Sequence, residues 1–113
     1  MHELGFAVEI VHAVEDIMDE NKLTKVEKIV LTIGEATGIV PSYMKYCFPA
    51  AVDKTRLEGV ELEIEFIRAK GRCRNCGEEF VITDHHSKCP KCGSEEFDII
   101  TGREFEIKEI HAH

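Results

Sequence analysis

The chain is poor in aromatics, in positive charge and in long apolar runs, and each shortage narrows what it can be. It has no Trp, and aromatic residues make up only 7% of the 113 positions. With 43% hydrophobic residues overall, its core has to be built mainly from aliphatic side chains. Fourteen Lys and Arg stand against 22 Asp and Glu, a formal net charge of −8. That balance argues against a nucleic-acid partner, because neutralising phosphates takes a surplus of cations. It argues equally against a polybasic membrane anchor. No apolar stretch approaches the roughly 20 residues that a spanning helix needs. The opening MHELG has Glu3 where an export signal carries basic residues, so a cytoplasmic location is expected. Five cysteines are present, Cys47, Cys73, Cys76, Cys89 and Cys92. An odd count without an export signal weighs against a disulfide framework and favours thiols kept free for metal.

What is present falls into two kinds of segment. From Glu3 to about Asn21, apolar residues recur at helical spacing (Leu4, Ala7, Val8, Val11, Val14, Met18), with acidic residues on the other side. Val26 to Ile33 is short and rich in β-branched residues, a strand closed by Gly34. A second helix is expected from Pro41 or Ser42 toward Val52, with a kink or an early stop at Pro49. Gly59 to Ile67 alternates, Val60, Leu62, Ile64 and Phe66 opposite Glu61, Glu63 and Glu65, which reads as a half-buried strand with a wet acidic face. Arg103 to Lys108 alternates again. Between those strands, from Ala69 to about Thr101, the character changes. This segment holds four of the five cysteines, and its five Lys or Arg nearly balance six Asp or Glu, against nine and sixteen in the remainder. The expected fold is α+β: two helices packed on a small sheet of about three strands, with a zinc-ribbon module inserted. The domain division follows, residues 1–68 and 102–113 forming an α/β domain and 69–101 the ribbon.

The strongest chemical signal is the pair of knuckles CRNCG and CPKCG, whose cysteines are Cys73, Cys76, Cys89 and Cys92. Four thiolates at this spacing can close a tetrahedron around Zn(II), and a fully protein-ligated site is structural, not hydrolytic. Gly77 and Gly93 follow the second cysteine of each knuckle, where the chain often needs a positive φ. A module of ~30 residues cannot bury much core, so a metal supplies the missing stability. Iron in place of zinc and a pair of redox dithiols are the competing readings. Cys47 lies on an apolar helix face and reads as a core thiol.

His2 is the second signal. Ni(II) favours nitrogen donors in a square plane, and a free amine, a peptide nitrogen and the following imidazole can form fused chelate rings. On its own a histidine near a terminus is usually just solvated, and Glu3 in a first helical turn is explained by the helix dipole. The wider pattern adds to this. MHELG, a helix, VEKIVLTIGE at 26–35, GVELEIE at 59–65, the paired knuckles and a final strand run in the order of the HypA/HybF family of nickel metallochaperones, which the whole chain resembles. The resemblance implies a Ni(II) site on His2, with the Met1 amine and the backbone nitrogens of His2 and Glu3 as co-ligands, and Zn(II) on the four cysteines. It further implies delivery of nickel during maturation of [NiFe]-hydrogenase, and in some organisms of urease. The implied partners are a HypB-type GTPase and, directly or indirectly, the hydrogenase large subunit. Where some members carry an acidic residue before the second helix this chain has Val40, so no ligand role is carried over there.

His85-His86, between the knuckles, is a candidate auxiliary metal pair, its plain alternative being a solvated loop tip. His111 and His113 close the chain as HAH and read as a tail that picks up metal adventitiously. The glutamates of 59–67 spread along one strand face and do not converge on an ion, although they can meet a positively charged partner. There is no P-loop and no nucleophile with a placed base, so an enzyme is not expected. The main alternative to nickel delivery is a zinc-ribbon adaptor in which His2 has no role.

Overall fold

The structure, a computed structural model, describes residues 3–113. Its elements in order are α1 (Glu3–Asn21), β1 (Val26–Gly34), a 3₁₀ turn (Glu35–Thr37), α2 (Pro41–Val52), β2 (Glu61–Ile67), β3 (Lys70–Cys73), β4 (Glu79–Val81), a second 3₁₀ turn (Thr83–His85), β5 (Phe97–Thr101) and β6 (Phe105–Ala112). Two helices thus accompany two three-stranded sheets, ordered β2-β1-β6 and β4-β3-β5. The chain divides into two compact units. Unit 1 comprises Met1–Thr32, Ile39–Glu65 and Glu106–His113; unit 2 comprises Ile33–Gly38 and Phe66–Phe105.

In unit 1, α1 buries Ala7, Ile10, Val11, Val14 and Met18, an i, i+3, i+4 stripe, while Leu4, expected on that stripe, is 49% exposed. It packs on α2, which buries Met44, Phe48 and Val52 at the same spacing. Ile29 and Leu31 of the central strand β1 complete an aliphatic core, both with no exposed surface. The helix α2 does not stop at Pro49; it runs three residues further, to Val52. Proline removes one ladder hydrogen bond, but Phe48 and Val52 are 2% and 4% exposed, and their burial holds the last turn in place. The α1 carboxylates are not all left to water. Arg56 bonds the Glu15 carbonyl at 3.1 Å and the Asp19 carboxylate at 2.9 Å.

The acidic face of β2 is likewise balanced. Lys28 of β1 reaches Glu63 at 2.8 Å and Glu61 at 3.7 Å, and Lys108 of β6 bonds Glu65. β6 also extends four residues past the expected Lys108. His113 N–H donates to the Lys25 carbonyl at 2.9 Å, and Thr24 N–H to the His113 carbonyl at 2.9 Å. The HAH segment is therefore strand-paired and not an untidy tail.

In unit 2 the strands are short and antiparallel. Gly71 pairs with Phe80 on one side and Ile99 on the other. Ala69, Cys73, Phe80, Ile82 and Cys89 form its buried cluster, with Phe97 and Ile99 packed against it. Phe80 meets Phe97 edge to face at 5.6 Å. The 33–38 segment belongs to this unit through close backbone approach. A Cβ on Gly34 would lie 2.1 Å from the Gly102 carbonyl oxygen, so only glycine fits there. Gly34 N–H and Ala36 N–H donate to the Glu104 and Gly102 carbonyls, each at 2.7 Å.

Candidate metal centre

The two knuckles fold alike because their backbones repeat the same bonds. Cys73 N–H donates to Glu78 O at 2.8 Å and Gly77 N–H to Cys73 O at 2.9 Å; Cys89 N–H donates to Ser94 O at 2.9 Å and Gly93 N–H to Cys89 O at 2.8 Å. Gly77 and Gly93 close the turns at φ 80° and 77°, in the left-handed region. Each turn aims an amide at its first sulfur: Asn75 N–H to Cys73 Sγ and Lys91 N–H to Cys89 Sγ, both at 3.4 Å.

The four sulfurs all lie within 4.8 Å of one another, with Cys73–Cys92 and Cys76–Cys89 at 3.5 Å. These are not disulfides, whose sulfurs sit about 2.0 Å apart. They suit a metal instead, since four Zn–S bonds of about 2.3 Å place tetrahedral sulfurs roughly 3.8 Å apart. The thiols also differ in acidity. Cys92 is pulled down to about 6 by the Asn75 side-chain amide at 3.5 Å and by the Ser94 backbone amide. Cys76 is pushed up to about 12: the Glu78 amide draws it down, but burial and the neighbouring sulfurs outweigh that pull. Four like charges cannot share this space without a cation, so metal entry has to displace protons. When bound, zinc would supply a tetrahedral cross-link between the knuckles and no open position for chemistry.

Beside the tetrad, Glu35 ties the 33–38 segment to the ribbon. Its carboxylate accepts Ala69 N–H at 2.8 Å, Arg68 Nε at 3.3 Å and the Thr83 hydroxyl at 3.2 Å. The Ala69 amide is the chief reason that its carboxyl lies below the usual range, with Arg68 and Thr83 adding to it. Arg68 goes on to Asp84 at 2.9 Å. The IGE stretch was visible in the sequence, but nothing local in it names these partners, which come from 33 to 48 residues away.

Met1 and His2, the residues expected to hold nickel, lie outside the described residues. Glu3 is described, and its side chain is buried, 4% exposed, with Oε2 accepting Val40 N–H at 3.1 Å. Val40 is the residue before α2 and has no side-chain cap of its own. The carboxyl of Glu3 thus meets a tertiary need, beyond the helix-dipole role its position suggests. His85 and His86 are both exposed, His85 with its ring edge-on to Phe80 at 6.1 Å. His86 sits at φ 53°, in the left-handed region. Among the described residues only the four cysteines form a compact metal-binding group. Cys47 stays apart on α2, half-buried.

Two helices on a small sheet and a ribbon closed by four thiols define a small metal-handling protein. The family described as hydrogenase/urease nickel incorporation metallochaperone, HypA, matches residues 1–112, and the chain belongs to it. Hydrogenase maturation factor HypA of Crocosphaera subtropica is 39% identical over 110 residues, covering 97% of this chain and 94% of that one. That of Nostoc punctiforme is 41% identical over 110 residues with the same coverage. In fold, the chain is similar to the solution structure of the nickel metallochaperone HypA from Helicobacter pylori. The TM-score is 0.69 at 23% identity, over 99% of this chain and 97% of that one. A second HypA solution structure gives 0.71 at 22% identity, over 100% and 97%. No described helix is long and apolar enough to cross a membrane.

Proposed function

We propose that this protein carries Ni(II) on its amino-terminal residues and hands it on during maturation of [NiFe]-hydrogenase, and in some hosts of urease, while Zn(II) on Cys73, Cys76, Cys89 and Cys92 holds the ribbon. The cargo site uses the Met1 amine, the His2 imidazole and the backbone nitrogens of His2 and Glu3. Nitrogen donors in this array suit Ni(II), and a site on an open terminus lets a recipient's ligands replace them one at a time. The observation that carries the reading is the anchoring of Glu3. Its side chain is buried and bonded to Val40 N–H, which fixes the position of Glu3 and so of the backbone nitrogen that the proposed site uses. The anchor holds Glu3, the residue that follows His2 in the chain, against the start of α2.

In this division of labour, residues 1–68 and 102–113 carry the cargo, and residues 69–101, held rigid by zinc, position the partner-docking surface. The recipient is a HypB-type GTPase, with the hydrogenase large subunit as final client, in the cytoplasm. Its counterpart here is a surface to match the acidic excess of unit 1, where fourteen Asp and Glu face seven Lys and Arg. His85 and His86 stand as auxiliary donors during transfer. The test is a nickel titration of zinc-loaded protein with its native terminus beside His2→Ala and an N-terminally extended form. Both changes should remove one tight equivalent of nickel and leave zinc content untouched.

A further inference from the structure

The extension of β6 changes what His111 and His113 are. From Glu109 onward exposure alternates, with Glu109, His111 and His113 exposed and Ile110 and Ala112 shielded to a greater degree. Side chains two apart on a strand share a side, with backbones roughly 7 Å apart. Imidazoles at that spacing can close on one ion through Nε2, at metal–nitrogen distances of about 2.0–2.1 Å. Each ring already faces a carboxylate: His113 Nε2 lies 2.7 Å from Glu27 Oε1, and His111 Nε2 lies 2.9 Å from Glu109 Oε1. Two ligands on neighbouring corners of one ion sit about 3 Å apart when each is about 2.1 Å from it. A proton now bridges the gaps that such an ion would span.

Glu27 is bonded to the His113 ring and feels the charge of both rings. Its carboxyl is held below the usual range by the hydrogen bond from His113, with the charges of His113, Lys25 and His111 adding. All four side chains are half or more exposed, between 50% and 65%, so each has room to rotate toward a shared ion. Among the described residues, no carboxylate is hydrogen-bonded to the side chain of His12, His85 or His86, which sets the HAH pair apart from the other described histidines.

We infer that His111, His113 and Glu27, with Glu109 as a fourth donor, form a second, solvent-open site for an imidazole-preferring first-row divalent cation. Imidazole and carboxylate together suit zinc, copper and nickel. The donors come from β1 and β6, so the site is independent of the amino terminus and of the cysteine tetrad.

The experiment uses zinc-loaded full chain carrying a short N-terminal extension that blocks the Met1 amine, titrated with NiCl₂ while the histidine ring signals are followed by NMR. Oxygen and imidazole donors leave nickel high-spin, so bound metal broadens the rings it touches. The expected result is one equivalent bound, with His111 and His113 broadened well before His12, His85 and His86. His111→Ala/His113→Ala removes that equivalent, and Glu27→Gln weakens it by about 10-fold or more, as loss of a partner carboxylate does. Broadening of all rings together, or an unchanged equivalent in the double variant, would overturn the site. Failure of the amino-terminal reading shows separately, as absence of nickel binding in the unextended double variant.

Discussion

Among the described residues, unit 1 buries fourteen hydrophobic residues and unit 2 six, two of which are the metal-type cysteines Cys73 and Cys89. The charges differ as well. Unit 1 has seven Lys and Arg against fourteen Asp and Glu, while unit 2 has seven against eight. Unit 2 spends its cations on paired surface contacts, Arg72–Glu79 and Arg74–Asp98 both at 2.7 Å. These side chains are more than half exposed, and such pairs contribute about 0–1 kcal/mol each. A buried aliphatic side chain contributes roughly 1.5–3 kcal/mol, and a structural zinc in a small finger about 10–16 kcal/mol. Unit 1 can therefore stand on burial, whereas unit 2, with its smaller core, would gain most from a metal on its four thiols. On the proposed function, the ion that has to leave and the ion that has to stay fall to different units.

The largest expected effect comes from removing the metal. Chelation of zinc, or Cys73→Ser, should strip amide-exchange protection from β3, β4 and β5 while α1 and α2 keep theirs. Parallel loss in both units would break the contrast. Next is the core of unit 1. Phe48→Ala should cost about 3–5 kcal/mol by denaturant unfolding, with zinc content unchanged. A smaller effect follows from Glu35→Gln. It should lower the stability of unit 2 by about 1–3 kcal/mol, the cost of a lost charged hydrogen-bond acceptor. The Glu35 carboxyl is depressed in the folded state, so its contribution is full above the unfolded value of about 4.3. It fades as pH falls through the folded value. The gap between Glu35→Gln and the parent should accordingly close in acid, by thermal unfolding measured from pH 7 downward.

Much of unit 1 was legible because burial leaves a period. The stripe from Ala7 to Met18 and the alternation of 60–64 announce a helix and a strand without help from distant residues, although Phe66, expected on the shielded face of that strand, is exposed. The tetrad was legible because its spacing is itself the chemistry. What the sequence hides is tertiary. Glu35 gives no local sign that it will receive Ala69 N–H from 34 residues away, and Gly34 looks like an ordinary strand end until Gly102 is placed against it. Of the kink or early stop expected at Pro49, the stop does not occur, because a proline signal is local while the burial of Phe48 and Val52 that holds the last turn is not. The carboxylate partner that changes the standing of His113 has the same character, since Glu27 is 86 residues away, whereas the partner of His111 is its near neighbour Glu109.

The most direct measurement is a nickel titration by calorimetry of zinc-loaded His111→Ala/His113→Ala protein, compared with the same protein carrying an N-terminal extension. In this background the strand site is gone and only the terminal donors remain for tight binding. One equivalent of nickel taken up by the native terminus and lost on extension, with zinc retained in both, is the predicted result. Equal uptake by both proteins, or none by either, would contradict a cargo site on Met1 and His2.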